Sequence, residues 1–363
     1  MSNSETSHKT YAIIGCGMMG REHMRNLALV EGAELIAIAD PDAGSLEAAQ
    51  KQAAALNQKV RLFDDSAAML AKAKPDAVII AAPNFTHFDV VKPVMDSGAA
   101  VLLEKPMCTD LSDAEALAKA AKAYDQLLWV GLEYRYMPPV TRFIERLHAG
   151  EAGDIKMLAI REHRFPFLVK VGDWNRFNRN TGGTLVEKCC HFFDLMRHIL
   201  RDEPVRIFAS GAQDVNHLDE RYEGEVPDIL DNAFVTVDFA GGARAMLDLC
   251  MFAEGSDQQE EISAVGPVGK MEVKLPRGEV TWSPRDHSGI TIETVETPQD
   301  ALDAGDHHGA TFYQQRDFHA ALTGGTPPLI TARDGYRSVV MGAAAQQSIA
   351  TGLPVDIKFK DKD

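Results

Sequence analysis

A glycine-rich turn near the N-terminus is the first feature of the sequence with a specific chemical use. Gly15-Cys16-Gly17-Met18-Met19-Gly20 fits the pattern G-x-G-x-x-G, follows an apolar segment and precedes a helical one. The first glycine permits a tight turn, the second lets the backbone approach a pyrophosphate, and the third lets helix and strand pack closely. Backbone N–H groups at the start of the helix, where Met18 and Met19 lie, attract the phosphates. The turn therefore predicts a dinucleotide site.

Asp40 supports this prediction. It ends the apolar segment that follows the glycine turn, and dinucleotide sites carry an acidic residue at about that distance from the turn. Its carboxylate is expected to accept hydrogen bonds from the adenosine ribose hydroxyls. A 2′-phosphate would meet like charge there, and Pro41 leaves no adjacent arginine to offset it. We therefore expect NAD(H) as the cofactor in preference to NADP(H).

The elements that position these residues alternate between strands and helices as far as residue 132. This alternation predicts βαβ units and a parallel, doubly wound sheet, so residues 1–132 form a Rossmann domain of the α/β class. A capping box of Ser112 and Glu115 is expected to open the last helix. The predicted strands are Thr10–Gly15, Glu34–Ala39, Val60–Phe63, Ala77–Ala82, Ala100–Leu103 and Leu127–Gly131, and the predicted helices are Met19–Val30, Ala43–Leu56, His87–Ser97 and Ser112–Tyr124.

The pattern changes after residue 132, where most strands follow one another through short turns. This order predicts an α+β domain, residues 133–363, with a large, mainly antiparallel open sheet and helices on one face. We allow for the C-terminal helix to pack back on the first domain. The predicted strands are Ile155–Arg164, Val205–Ala212, Ala233–Phe239, Ala243–Phe252, Glu261–Val265, Lys270–Leu275, Glu279–Trp282 and Thr291–Val295, and the predicted helices are Gly183–Leu200, Thr311–Thr323 and Ala332–Thr351.

Bulk composition disfavours several classes of partner. The 363-residue chain carries a formal charge of −16, which argues against nucleic acid and anionic membrane surfaces. No apolar run is long enough to span a bilayer, and we expect Met1–Lys9 to be a polar, disordered lead-in, since it lacks the apolar stretch of a secretory signal. The five cysteines are scattered, which indicates reduced thiols in a cytoplasmic protein. None of the cysteines has the spacing that is typical of a zinc site, so we expect no bound metal.

Three further motifs stand where predicted strands end or a predicted helix begins. Ala82-Pro83-Asn84-Phe85-Thr86-His87 ends the fourth strand, Glu104-Lys105-Pro106 ends the fifth, and Gly182-Gly183-Thr184-Leu185 leads into Glu187, His191 and Asp194. With the glycine turn, this set resembles the family of glucose-fructose oxidoreductase, inositol dehydrogenase and MocA, from Tyr11 to about Pro354. What the resemblance implies is a cofactor site that includes Pro83, Asn84, His87, Glu104 and Lys105.

Lys105 and His191 are the candidate catalytic residues. Ligands of an open α/β sheet collect at the carboxyl ends of its strands, where Gly15, Asn84 and Lys105 lie. A lysine there can hydrogen-bond a substrate hydroxyl or the carbonyl it becomes, and Glu104 can orient Lys105 or a cofactor hydroxyl. Spacing alone favours a solvated loop lysine, whereas the family motif favours the site. The resemblance also implies a general base at His191.

Glu187, His191, Asp194 and His198 form one polar stripe on the predicted helix, whose other directions are mostly apolar. Such a stripe meets solvent or lines a cleft, and the resemblance favours the cleft. Relatives usually carry Asp where this chain has Glu187, and the extra methylene moves the carboxylate by about one carbon–carbon bond. Glu187 is a candidate catalytic and substrate-binding residue, and Glu187 or Asp194 is expected to hold the imidazole.

The segment Arg161–Arg179 is unusually basic and aromatic for so acidic a chain. Trp174 resembles a family aromatic residue near cofactor and substrate, and Arg164 is a candidate substrate-binding residue. Two interpretations have equal weight. The segment is either a wall that stacks a sugar ring or holds an anion, or a connection whose arginines pair with surface carboxylates.

The chemistry implied is oxidation of a secondary hydroxyl in a sugar, polyol or sugar derivative, or reduction of the keto form. His191 accepts the hydroxyl proton, Lys105 stabilises the developing oxygen charge, and hydride passes to nicotinamide. An NAD-dependent glycosidase that oxidises its substrate transiently stays open, as do aldehyde, dihydrodiol and bilin substrates. A non-catalytic dinucleotide sensor is disfavoured by the intact Lys105 and His191.

A homo-oligomer is also expected. Asn232–Phe239 and Ala243–Phe252 carry apolar residues on both alternating faces, so one face of the predicted sheet needs a partner. Related proteins are dimers or tetramers, and the resemblance therefore implies a homodimer or homotetramer.

Overall fold

The computed structural model describes residues 8–305 and 307–360. Most of the predicted lead-in, Met1–Lys9, therefore lies outside the described residues. The described chain divides into two compact units. The first runs to Glu133 and includes Pro298–Tyr336, and the second comprises Tyr134–Thr297 and the described residues from Arg337 onward. Within these described ranges, no helix is both long and apolar enough to cross a membrane.

The first unit contains a six-stranded sheet in which every neighbouring pair is parallel. Its strands are β1 (Lys9–Ile14), β2 (Ala33–Ala39), β3 (Arg61–Phe63), β4 (Ala77–Ile80), β5 (Ala100–Leu103) and β6 (Leu128–Val130). They lie in the order β3-β2-β1-β4-β5-β6, which is the doubly wound order. Every residue of β4 and β5 is buried, as in strands covered on both faces. The predicted Rossmann fold is confirmed.

The second unit contains a nine-stranded sheet. Its strands are β7 (Met157–His163), β8 (Pro204–Ala212), β9 (Asn232–Phe239), β10 (Arg244–Cys250), β11 (Glu260–Val265), β12 (Gly269–Leu275), β13 (Glu279–Pro284), β14 (Thr291–Thr294) and β15 (Val355–Asp356). Their order is β14-β13-β12-β11-β7-β10-β9-β8-β15. β7 and β10 pair in parallel, and the other neighbours are antiparallel. The predicted, mainly antiparallel sheet is confirmed.

The helices are less completely predicted than the strands. Short helices such as α3, α7 and α10 have too few turns to show a clear apolar periodicity, and α6 begins with two prolines. In chain order the helices are α1 (Met18–Leu27), α2 (Ala43–Ala55), α3 (Ser66–Ala73), α4 (His87–Asp96), α5 (Leu111–Lys122), α6 (Pro138–His148), α7 (Asn178–Thr181), α8 (Thr184–Glu187), α9 (Cys190–Leu200), α10 (Gln299–Ala304), α11 (Ala310–Leu322) and α12 (Ala332–Thr351).

Two predicted helix features are wrong. Asp110, and not the pair of Ser112 and Glu115, is the N-cap of α5, and its carboxylate accepts the N–H of Ser112 at 2.7 Å. The predicted helix Gly183–Leu200 is divided into α8 and α9. At the division, the Thr184 carbonyl accepts hydrogen bonds from the N–H groups of both Lys188 and Cys189, at 2.9 and 3.3 Å, which interrupts the regular helical pattern.

Candidate active site

The glycine turn joins β1 to α1. At two of its glycines, neighbouring backbone atoms lie too close to leave room for a side chain. Gly15 has a φ of +91°, and a Cβ there would lie 2.5 Å from the carbonyl carbon of Ala81. A Cβ at Gly20 would lie 2.0 Å from the carbonyl oxygen of Gly15. A side chain at either position would force the strand and helix apart at their junction.

Gly17 differs from the other two glycines, because a Cβ there would meet no described atom within 4 Å. Gly17 is the N-cap of α1, and Met18 and Met19 are its first two residues. The N–H groups in the first turn of a helix have no acceptor within the helix. The turn therefore offers backbone donors beside a position where no side chain restricts the approach of another molecule.

The Asp40 carboxylate is fixed by two backbone donors just after β2. One oxygen accepts the N–H of Cys16 at 2.6 Å, and the other accepts the N–H of Asp42 at 2.9 Å. Burial, together with the Asp40 charge, raises the pKa of the Cys16 thiol, so that thiol stays protonated. Asp40 thus ties the glycine turn to the end of β2, and its contact with an adenosine ribose stays a prediction.

The segment after β4 carries Pro83, Asn84 and His87. The two ring nitrogens of His87 lie 2.8 Å from the Pro106 carbonyl oxygen and 3.0 Å from that of Ala82. Burial lowers the pKa of His87. His87 therefore holds the end of β4 against the turn after β5. The buried side-chain nitrogen of Asn84 has no hydrogen-bond partner among the described groups.

Glu104 is anchored by a residue that the sequence analysis missed. Its carboxylate lies 2.7 Å from Nε2 of His23 on α1, and both side chains are buried. Burial opposes charge on both groups, but their mutual hydrogen bond and attraction raise the pKa of His23 and lower that of Glu104. The other oxygen of Glu104 accepts the backbone N–H of Lys105 at 3.1 Å. The pair therefore fixes the backbone that carries Lys105, which is half-buried.

These features fit a bound dinucleotide. They lie at the carboxyl ends of β1, β2, β4 and β5, the edge at which open α/β sheets bind ligands. The orphaned amide of Asn84 offers a donor, the region beside Gly17 is open, and Asp40 is an anionic acceptor. Each is a group that such a ligand would use.

His191 lies in the first turn of α9 in the second unit and is 2% exposed. The phenol ring of Tyr134 stacks on its imidazole, with the ring centroids 4.0 Å apart and the planes 10° apart. Because the imidazole nitrogens lie in the plane of the ring, such stacking restricts the plane while leaving hydrogen bonding to its edge. Tyr134 stands in none of the sequence motifs that predicted the site.

Lys188 is also buried and was not predicted. Its Nζ donates to the Tyr134 hydroxyl at 2.5 Å and lies 2.8 Å from the carboxylate of Glu162. Arg164 contacts the same carboxylate oxygen at 3.2 Å. Burial lowers the pKa of Lys188 and raises that of Glu162. These groups form a buried polar network that holds Tyr134 in place.

The residues of the predicted polar stripe are mostly shielded from solvent. Glu187, His191 and Asp194 are all buried, so the solvent-facing interpretation is wrong for them, and His198 is half-buried. Asp194 accepts two hydrogen bonds from Arg135, at 2.6 and 2.5 Å. This buried, bidentate ion pair connects Asp194 on α9 to Arg135. The polar stripe in the sequence did not predict it.

The arginines of Arg161–Arg179 each contact a carboxylate. The partners are Asp248 and Glu261 for Arg161, Glu162 for Arg164, Glu220 for Arg176 and Glu225 for Arg179. Arg164 also stacks over the Phe165 ring, at 4.3 Å from its centroid. Trp174 is half-buried, and its carbonyl accepts a hydrogen bond from Asn180 at 2.9 Å. Substrate contacts of Arg164 and Trp174 stay predictions.

Comparisons with known proteins identify the class of protein to which this chain belongs. Residues 9–132 match the model of the oxidoreductase family with an NAD-binding Rossmann fold, and residues 144–357 match the model of its C-terminal alpha/beta domain. The chain therefore belongs to the family of glucose-fructose oxidoreductase, inositol dehydrogenase and MocA. It is an oxidoreductase that uses NAD.

Individual relatives cover nearly the full chain. An uncharacterized oxidoreductase of Bacillus subtilis is 26% identical, over 96% of this chain and 97% of its own. The scyllo-inositol 2-dehydrogenase (NAD(+)) of the same organism is 24% identical, over 96% of each chain. The structure of a levoglucosan dehydrogenase in complex with NADH superimposes with a TM-score of 0.84 at 19% identity, over 97% of this chain and 99% of its own, which shows the shared fold.

Proposed function

We propose that this protein uses NAD+ to oxidise a secondary hydroxyl of a sugar, polyol or sugar derivative, or catalyses the reverse reduction. The observation that carries the proposal is the buried imidazole of His191, held in plane by Tyr134, in a chain of an NAD-binding oxidoreductase family. The name of the scyllo-inositol 2-dehydrogenase supports a cyclic polyol as the class of substrate.

His191 is the general base of this proposal. A neutral imidazole accepts a proton near neutral pH, and stacking on Tyr134 limits the directions from which it does so. Lys105 donates to the substrate oxygen as negative charge develops there. When bound, NAD+ supplies the acceptor for the hydride. Glu187 helps to orient the imidazole or a substrate hydroxyl, and Arg164 and Trp174 bind the substrate.

The cofactor-binding residues of the proposal lie mainly in the first unit. Gly15, Gly17 and Gly20 shape the turn, and the N–H groups of Met18 and Met19 face the pyrophosphate. Asp40 binds the adenosine ribose. The remaining contacts to the cofactor come from Pro83, Asn84, His87, Glu104, Lys105 and Trp174.

A screen for NAD+ reduction tests this function. Purified protein is mixed with NAD+ and with inositols, sugars, sugar acids or glycosides in turn, and NADH formation is followed by absorbance. We expect turnover with at least one polyol or sugar. Sugar release from a glycoside without net NADH would favour the transient-oxidation glycosidase, and NAD binding with no turnover of any substrate would favour a sensor.

A homodimer or homotetramer, formed through the sheet of the second unit, is part of the proposal. Three large apolar side chains on adjacent strands are exposed, namely Phe208 on β8, Phe234 on β9 and Met246 on β10. An apolar sheet face of this kind is stabilised when a second copy covers it. We also propose a cytoplasmic location, since all five cysteines are free thiols.

A further inference from the structure

Glu22, Glu133 and His307 come together from three distant parts of the first unit. Glu22 lies on α1, Glu133 follows β6, and His307 precedes α11. Nδ1 of His307 lies 2.9 Å from a Glu22 carboxylate oxygen and 3.6 Å from a Glu133 oxygen. One such atom from each of the three residues lies within 4.8 Å of the others. Their separation along the chain explains why sequence spacing gave no sign of this cluster.

Two of the three residues are carboxylates removed from solvent, where a charge without a compensating partner is costly. Glu22 and Glu133 are each 1% exposed, whereas His307 is half-buried. A buried carboxylate is tolerated when a cation or several donors compensate it.

The cluster supplies too few hydrogen-bond donors for its carboxylate oxygens. The hydroxyl of Thr311 lies 2.8 Å from a Glu22 oxygen and 2.6 Å from a Glu133 oxygen. A hydroxyl carries one hydrogen, so it can donate to only one of these carboxylates at a time. The remaining oxygen of Glu133, Oε1, is buried and accepts no hydrogen bond from a described group. That oxygen faces His307 and points into the cluster.

We propose that Glu22, Glu133 and His307 bind a divalent transition-metal ion, for which Zn²⁺ is the best-fitting representative. Ligand atoms bonded to zinc at about 2.0–2.1 Å in tetrahedral geometry are about 3.3 Å from one another. The two separations from Nδ1 of His307, 2.9 and 3.6 Å, lie on either side of that value. One imidazole and two carboxylates form a three-ligand set that leaves the fourth position to water.

The ion has a structural role in this proposal. It joins α1, the end of β6 and the segment that leads into α11, and these are far apart along the chain. The segment before His307 passes close to Glu22, since a Cβ at Gly305 would lie 2.4 Å from a Glu22 oxygen. Such a cross-link stabilises the folded state by an amount that grows with metal concentration.

Zinc titration of the full-length protein, after chelator treatment and dialysis, tests the site by calorimetry. We expect one equivalent of Zn²⁺ to bind the wild type. Glu133→Gln and His307→Gln should each weaken that binding by more than about a hundredfold, because loss of a second-shell partner alone costs up to that factor. Glu220→Gln is the matched control, because its carboxylate lies 2.8 Å from Nδ1 of His217, outside the cluster. It should bind zinc as the wild type does.

Thermal unfolding gives a second measurement that does not depend on enzyme activity. Zinc should raise the Tm of the wild type and of Glu220→Gln, but not that of the two cluster variants. If Glu133→Gln does not fold, His307→Gln decides the matter, because its side chain is partly exposed. Wild-type protein that binds no zinc, or His307→Gln that binds it with unchanged affinity, overturns the proposal.

Discussion

The imidazole of His191 and the phenol of Tyr134 lie face to face, with centroids 4.0 Å apart. Tyr134 is held in turn by Lys188, which donates to its hydroxyl and pairs with the buried carboxylate of Glu162. The plane of the imidazole is therefore set by a series of buried contacts. In the proposed reaction, Tyr134 is a positioning residue for the general base.

Comparing Tyr134→Leu with Tyr134→Phe isolates the contribution of the ring, because both variants remove the hydroxyl. Tyr134→Leu is expected to lower kcat at least about tenfold below Tyr134→Phe, since a misplaced base loses much of its effect. The KM for NAD+ should be similar in the two. Steady-state kinetics with the best substrate of the screen checks this. Equal kcat values in the two variants would show that stacking does not position His191.

Lys105→Ala and His191→Ala are expected to depress turnover far more than cofactor affinity. Loss of a positioned acid–base group costs roughly a hundredfold to ten-thousandfold in rate. NADH affinity, measured by fluorescence titration, should change by only a few fold. Lys51→Ala is a suitable control, since Lys51 is an exposed helix residue paired with Glu47. If Lys105→Ala or His191→Ala keeps near-normal kcat, the role proposed for that residue is wrong.

The cofactor preference depends on Asp40. Because its carboxylate is fixed by Cys16 and Asp42, it cannot easily turn away from a 2′-phosphate. We expect kcat/KM to be higher with NAD+ than with NADP+, and Asp40→Ser to reduce that preference at least about tenfold, as loss of about 1.4 kcal/mol of repulsion implies. Equal use of the two cofactors by the wild type would refute this interpretation of Asp40.

The buried pair of Arg135 and Asp194 should contribute strongly to stability. Asp194→Ala leaves a buried guanidinium without its partner and is expected to lower the free energy of unfolding by about 3–5 kcal/mol. Asp238→Ala is the control, because its partner Arg206 is exposed, and it should cost about 1 kcal/mol or less. Urea unfolding followed by circular dichroism measures both. Similar losses of unfolding free energy in the two variants would show that burial does not increase the contribution of the Arg135–Asp194 pair.

Association through the second sheet predicts that charges on its apolar face separate the subunits. Phe234 is 62% exposed on β9, and Met246 on the neighbouring strand is partly exposed. The double variant Phe234→Glu and Met246→Glu should therefore be monomeric by light scattering at micromolar concentration, whereas the wild type should be a dimer or tetramer. Leu29→Glu, an exposed position in the first unit, should leave the oligomer intact. A monomeric wild type would contradict the proposed association.

Both sheets were predictable because their strands have local signatures. The apolar runs of β4 and β5 and the glycines at positions 15, 17 and 20 each indicate their structure within a few residues. The parallel pairing of β7 with β10 had no such signature, because it joins strands that have β8 and β9 between them in the chain. Strand pairing over that distance depends on tertiary packing.

The candidate site was predicted only where a motif marks it. Lys105 and His191 stand in motifs, whereas His23, Tyr134 and Lys188 act through partners that are distant in the chain. A partial signal existed for Tyr134, since the charged and aromatic segment Glu133–Tyr136 begins three residues after the end of β6. The division of the predicted helix coincides with two N–H groups, of Lys188 and Cys189, that share the Thr184 carbonyl, an arrangement that residue types do not reveal.

Isotope transfer is the most direct test of the central claim, that hydride passes from a substrate carbinol carbon to NAD+. The best substrate of the screen is prepared with deuterium on the oxidised carbon, and the NADH formed is analysed by mass spectrometry. We predict one deuterium in each NADH and a matching amount of ketone product. NADH without deuterium, or consumption of substrate with no NADH, would contradict the account.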